Sequence, residues 1–280
     1  MVERFILCLI SAAILCFSSC TVDLFGLFGS TDLSVRLKER NNFRYLRPED
    51  MTLTLGDKYS FILLADTHIE NGDTFGLEKI KNVIADENTA GSNIKFAVIV
   101  GDITQCAYKE DIQKYIDTVG SLALGIPSYP VIGNHDIYLN NWKNWKDLIG
   151  STCYRINDSG NAATLFMLDS ANGYFGNDQL NWLDNELKSA KGRVFVFTHF
   201  NFFVDSPSDI QQLTDTRERA RVCAMLKGRC DTVFTGHLHY SVISKLGGVS
   251  YVSLEDFRDA NAYCVVSVSP AGVSYRDGKL

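Results

Sequence analysis

This sequence predicts an α/β fold built on a sheet that is buried on both faces, and three observations carry that expectation. From Tyr59 onward, short apolar runs rich in β-branched and aromatic residues alternate with longer helical stretches. The runs are continuously apolar, as strands covered on both sides must be. After Leu238 the helices give way to a succession of short strands, which implies a second sheet packed on the first.

The strand candidates are 61–65, 96–100, 129–132, 164–168, 194–198 and 232–235, followed by 241–245, 249–254, 262–267 and 272–275. Helices are expected over about 76–88, 109–124, 141–148, 178–190 and 208–227. The chain has 280 residues, 46 % of them hydrophobic, enough for one large domain with a sizeable core. Its formal net charge of −6 argues against a nucleic-acid grip, which depends on neutralising phosphates.

The first twenty residues differ from the rest. A short polar head with Arg4 precedes the apolar run 5–17, and Ser18-Ser19-Cys20 follows. This reads as a signal peptide of the lipoprotein type over 1–20, with Cys20 carrying the lipid and anchoring the chain to a bacterial cell envelope; an ordinary cleaved signal or an uncleaved anchor are the alternatives. Residues 21–58 show no clear period and are expected to form a tether and an edge segment ahead of the main domain, 59–280. The remaining cysteines, Cys106, Cys153, Cys223, Cys230 and Cys264, are odd in number and form no CxxC pair, so neither a disulfide framework nor a zinc–thiolate site is expected.

Chemistry is concentrated in the histidines. The chain has only five, His68, His135, His199, His237 and His239, and each stands at or just past the end of an apolar run. The strand ends read Asp66-Thr67-His68, Gly101-Asp102, Gly133-Asn134-His135-Asp136, His199 and Gly236-His237-Leu238-His239. Ligand sites in α/β sheets collect at the carboxyl ends of strands, so these groups are expected to face one crevice. Two cations about 3.5–4 Å apart can clamp a phosphoryl group and activate a water. Bridging them takes a carboxylate, and neutral imidazoles complete the shells without adding charge. Oxygen and nitrogen ligands suit Mn, Fe, Zn or Co.

These five blocks, in this order, resemble the signature of the calcineurin-like metallophosphoesterases, over roughly residues 59 to 270. The resemblance implies a four-layer α/β/β/α sandwich. It implies two divalent or trivalent metal ions, one held by Asp66, His68, Asp102 and His239 and the other by Asp102, Asn134, His199 and His237. Asp102 would bridge them, and a metal-bridging hydroxide would attack a phosphomonoester or phosphodiester of a small envelope or extracellular substrate. His135 would not be a ligand; it would contact the phosphate and protonate the leaving oxygen. Two departures narrow the field. Gln105 stands where purple acid phosphatases carry a tyrosine, and Gly101-Asp102-Ile103-Thr104-Gln105-Cys106 lacks the second Asp and the Arg of the protein phosphatases. A catalytically silent binding or scaffolding lipoprotein is the alternative, as is a metal-storage lipoprotein. A silent relative is expected to lose ligands or the acid, yet every such position is filled here. Specificity is expected in the loops 70–74, 106–110, 137–144 and 201–209, with Tyr138, Trp142, Phe200, Phe202 and Phe203 as candidate aromatics of an entrance.

Overall fold

The computed structural model describes residues 29–203 and 212–280. The expected signal peptide with Cys20, the first part of the expected tether, and residues 204–211, which include the start of the helix expected from 208, lie outside the described residues. Among the described residues the strands are β1 (Thr52–Leu53), β2 (Tyr59–Leu64), β3 (Ile94–Val100), β4 (Ser128–Val131), β5 (Tyr154–Asp158), β6 (Ala163–Met167), β7 (Arg193–Phe197), β8 (Thr232–Thr235), β9 (Val242–Leu246), β10 (Val249–Ser253), β11 (Ala262–Ser269) and β12 (Gly272–Lys279). The α-helices are α1 (Leu33–Arg36), α2 (Ile80–Thr89), α3 (Lys109–Val119), α4 (Ser121–Leu124), α5 (Trp142–Leu148), α6 (Gly176–Leu187) and α7 (Thr216–Leu226). None of these helices is long and apolar enough to cross a membrane.

The strands form two sheets, in the orders β1-β5-β6-β7-β8-β10-β9 and β12-β11-β2-β3-β4. Because side chains alternate across a strand, each sheet feeds two apolar layers. Phe61, Leu63, Phe96 and Val98 point into the space between the sheets, where they meet Leu165, Phe195, Phe197 and Phe234. Ile62, Leu64, Ala97 and Ile99 point the other way, onto Ile80, Ile84, Ile112, Tyr115 and Trp145 of the first helical layer. Phe166, Val194, Val196 and Val233 likewise cover Leu180, Leu183, Val222 and Leu226 of the second. The result is the four-layer α/β/β/α sandwich. At its centre Phe61 stacks on Phe96 (4.6 Å between ring centres) and turns its edge to Phe195 and Phe234, at 5.3 and 5.9 Å.

Several boundaries differ from the sequence reading for local reasons. The helix expected over 109–124 breaks into α3 and α4 at Gly120, which adopts an extended conformation (φ −61°, ψ 161°). A Cβ there would lie 2.3 Å from the Ile116 carbonyl oxygen. Strands β1 and β5 were not anticipated. β5 has only alternate residues fully buried, and β1 closes the sheet beside it by parallel pairing of Thr52 with Asn157.

Residues 29–58 pack closely on the domain. Leu33 and Arg36 are buried, and the Arg36 guanidinium grips Asp169 with Nε–Oδ2 at 2.8 Å and Nη2–Oδ1 at 2.7 Å. Asp169 follows β6, and its carboxylate also accepts from the Ala171 N–H. A fully buried bidentate pair stabilises little in itself, but removing one partner strands the other charge. Asp169→Ala is therefore expected to cost about 3–5 kcal/mol, measured as a fall in the urea midpoint at unchanged slope.

Candidate metal centre

The strands that carry the motif residues run parallel within each sheet: β2, β3 and β4 in one, β7 and β8 in the other. Their carboxyl ends meet at one edge of the sandwich. Asp66 and His68 follow β2, Asp102 follows β3, Asn134 and His135 follow β4, His199 follows β7, and His237 and His239 follow β8. All eight residues singled out from the sequence, Cys20 apart, are brought together there.

Two ligand-like clusters share this edge. Asp66, His68 and His239 can offer ligand atoms that lie within 4.8 Å of one another, as can Asp102, His199 and His237. A third cluster, His68, Asp102 and His135, overlaps both. Asp102 is reached from both sides: its Oδ2 lies 3.1 Å from His199 Nε2 and 3.8 Å from His68 Nε2. His239 Nε2 stands 3.4 Å from Asp66 Oδ1. Burial is nearly complete at the floor (Asp66 and His199 0 %, Asp102 1 %) and falls toward the mouth, where the His239 side chain is 43 % exposed.

Hydrogen bonding decides what this floor can hold. The Val100 carbonyl oxygen lies 3.1 Å from His199 Nδ1 and can only accept, so Nδ1 carries a proton. In the neutral ring Nε2 is then an acceptor, yet it faces Asn134 Oδ1 and Asp102 Oδ2, each at 3.1 Å. With Nε2 unprotonated, three acceptors would converge with no donor among them, so the floor calls for a positive charge there, carried by a proton on Nε2 or by a cation. The titration behaviour agrees. Burial lowers His199, but Asp102 and Asp66 outweigh it and carry the ring up to about 9. Burial pushes the Asp102 carboxyl up, and His199 and His135 overcome that and hold it well below the usual carboxylate range. Burial lowers His68, partly offset by Asp102 and Asp66. Both His68 ring nitrogens are buried without a hydrogen-bond partner. These are the donor set and the unmet valences of a dinuclear divalent cation site, and the residues fit one.

The local backbone is strained to make this possible. Asp66, His68, Asp102, His237 and His239 all adopt positive φ, between 43° and 68°. Such conformations cost on the order of 1–3 kcal/mol each and persist only where the surroundings impose them. Two motif glycines remove obstacles. A Cβ on Gly133 would lie 2.2 Å from the Asp102 amide nitrogen and from its Oδ1, and one on Gly101 would lie 2.2 Å from His199 Nδ1.

Sequence reasoning left the role of Asp136 open. It is fully buried and accepts from the backbone N–H groups of Gly133, Ile103 and Thr104 and from the Thr104 hydroxyl. It thus clips the loop bearing Asp102 to the loop bearing Asn134. Burial and the nearby Asp102 charge push it up to about 7 against those donors. Asn201 was missed. Its amide donates to the Gly236 carbonyl and its Oδ1 accepts from the Thr235 hydroxyl at 2.6 Å, tying the His199 loop to the His237 loop. Of the aromatics expected at an entrance, Trp142, Phe200 and Phe202 are buried instead, while Tyr138 and Phe203 stay partly exposed. Phe200 packs under His237 at 4.0 Å between ring centres.

Known proteins resemble this chain in sequence and in fold. Residues 59–241 match the family model for calcineurin-like phosphoesterases. A probable cyclic nucleotide phosphodiesterase of Fibrobacter succinogenes is 26 % identical over 225 residues, 74 % of this chain and 85 % of that protein. Among solved structures, a dimetal phosphatase from Danio rerio superposes with a TM-score of 0.58 at 13 % identity, over 78 % of this chain and 95 % of its own. GAP50, described as the anchor in the inner membrane complex of Plasmodium, gives 0.60 at 14 % identity, over 80 % and 85 %. The purple acid phosphatase PPD1 of yellow lupin gives 0.59 at 12 %, over 79 % of this chain and 52 % of that one. These structures share the fold, and the family model reaches the motif residues from Asp66 to His239 themselves. The chain belongs to the calcineurin-like phosphoesterase family, whose members are metal-dependent hydrolases of phosphoric esters.

Proposed function

We propose that this chain is a dinuclear phosphoesterase acting on small phosphomonoesters or phosphodiesters in the bacterial cell envelope, tethered there by a lipid on Cys20. The observation that carries the enzymatic reading is the convergence of His199 Nε2, Asn134 Oδ1 and Asp102 Oδ2 on one buried point that calls for positive charge. Asp66, His68, Asp102 and His239 would hold one cation, and Asp102, Asn134, His199 and His237 the other. When bound, the two cations polarise phosphoryl oxygens and acidify a water.

The chain's own groups do the rest. Asp66 accepts from the His237 N–H at 3.0 Å, so one carboxylate orders both clusters. The His135 N–H donates to Asp102 Oδ1 at 2.8 Å and holds the bridging carboxylate in place. The His135 ring lies with Nδ1 3.0 Å from the Gln105 carbonyl, which can only accept. Nε2 is thereby turned toward the site, 4.0 Å from Asp102 Oδ2, where it can deliver a proton to the leaving oxygen. The Fibrobacter relative's name makes cyclic nucleotides the first substrates to assay. The GAP50 likeness is the only observation that favours a silent scaffold, and it extends to the fold alone.

Four measurements test this reading. Asp102→Asn is expected to abolish turnover and lower metal content below two per chain, since a neutral amide does not hold two cations together; two retained metals with near-normal turnover would sink the dinuclear site. His237→Ala is expected to lose metal and activity together. His135→Ala is expected to keep its metal and to slow turnover by about two to four orders of magnitude. That deficit should be largest for alkyl esters and smaller for p-nitrophenyl esters, and metal loss in this variant or a uniform deficit would refute the acid role. For the anchor, wild type should partition into detergent and Cys20→Ser should be released or stall in processing; a wholly soluble wild type without acyl label removes the lipid.

A further inference from the structure

We propose that Tyr138 is a positioning residue with two separable duties: its hydroxyl orients Asn134 for the second cation, and its ring steadies His135 for proton transfer. The assignment rests on the two-cation reading above and deepens it.

The geometry begins with a turn. Tyr138 is extended (ψ 156°) and is followed by Leu139 and Asn140 in left-handed conformations, φ 56° and 58°. The Asn141 N–H closes the turn by donating to the Tyr138 carbonyl at 3.0 Å, and the Asn140 N–H donates to the Gly29 carbonyl at 2.6 Å. Ahead of this reversal the Ile137 N–H donates to the Asn134 carbonyl at 3.3 Å, and this short helical turn brings Tyr138 against Asn134 and His135, four and three residues before it.

The hydroxyl meets Asn134. Asn134 Nδ2 donates to Tyr138 Oη at 2.7 Å, while Oδ1 faces His199 Nε2 at 3.1 Å. An amide can present either end to a cation site, but only the oxygen can coordinate. With Oδ1 turned inward, the amide nitrogen needs an acceptor on the other side, and the phenol oxygen supplies it. Partners of this kind fix a ligand's orientation, and their loss typically weakens metal affinity by about 10–100-fold.

The ring meets His135. Its centre lies 4.5 Å from the imidazole centre at 47°, and the imidazole also contacts His68 at 4.6 Å, edge to face. The imidazole is therefore packed against both Tyr138 and His68, with Nδ1 tied to Gln105. Through these two contacts Tyr138 acts on Asn134 and His135.

Two variants separate the duties. Y138F keeps the ring and deletes the hydroxyl; Y138L deletes both. Calorimetric titration of the metal-stripped, full-length protein with Mn²⁺ is expected to show two sites in wild type. In Y138F one of the two sites should lose about tenfold or more in affinity while the other is unchanged. Once saturated with metal, Y138F should keep the wild-type ratio of rates on p-nitrophenyl and alkyl phosphates. Y138L should show the same metal defect and, in addition, a selective loss on alkyl esters, as expected of a misaligned acid. Wild-type affinity at both sites in Y138F, or equal weakening at both, overturns the hydroxyl's role. Indistinguishable leaving-group behaviour in Y138F and Y138L overturns the ring's role. Fewer than two cations bound by wild type would refute the dinuclear reading and this assignment with it, whereas normal wild-type uptake with an unaffected Y138F refutes the assignment alone.

Discussion

Everything in this molecule is arranged around a crowd of buried acceptors. Asp66 and Asp102 lie at 0 % and 1 % exposure, His199 Nε2 and Asn134 Oδ1 meet beside them, and both His68 ring nitrogens are buried without a hydrogen-bond partner. Burying ionised carboxylates in a low-dielectric interior is among the most unfavourable things a fold can do, unless positive charge is supplied there. Protons can supply part of it, as the raised His199 shows. Divalent cations supply more, and they do so with fixed geometry.

A cluster that repels itself must be held by something stiffer than its own contacts. The stiffness comes from the strand ends and from what grips them. Each sheet enters the site from a layer of aromatic packing, with Phe61 and Phe96 on one side and Phe197 stacked on Phe234 on the other. Beyond the strands, side chains staple neighbouring loops: Asp136 joins the Asp102 and Asn134 loops, and Asn201 joins the His199 and His237 loops. The positive φ values at five of the candidate ligands record the force that those staples transmit. Gly101 and Gly133 record the closeness of approach, since no side chain fits where His199 and Asp102 press against them.

Much of this was legible in the sequence, for a physical reason. Strands buried on both faces are written as unbroken apolar runs, and the residues that end such runs must lie on one edge of the sheet. That locates Asp66, His68, Asp102, Asn134, His135, His199, His237 and His239 without any contact being known. What stayed hidden is whatever depends on pairing between distant segments. Arg36 reads as one more surface arginine until Asp169 is placed against it. Asp136 reads equally well as a capping residue. Strand β5 is half polar and takes its partner β1 from a segment without a discernible period. Trp142, Phe200 and Phe202 read as an entrance because they adjoin motifs, whereas the helices on the outer faces bury them. Phe197 and Thr198 precede His199 as an apolar run, and the run simply continues through Phe200 into the core.

The strand order carries a consequence for how the chain is made. β2, which leads into Asp66 and His68, lies between β3 and β11, and β11 pairs with it residue by residue from Cys264 opposite Leu63 to Val268 opposite Tyr59. The loop ahead of β11 then latches the site, with the Phe257 N–H on the Ala65 carbonyl and the Arg258 N–H on that of Asp66. A ribosome delivers β2 long before β11. Until β11 is made, β2 has β3 on one side and an open, largely apolar edge on the other, the kind of edge that recruits other chains. Its cure arrives with the closing hairpin of β11 and β12, in the same step that locks the backbone of Asp66. Protection from aggregation and competence to bind metal are thus acquired together, and only by a chain in which β11 has already been translated.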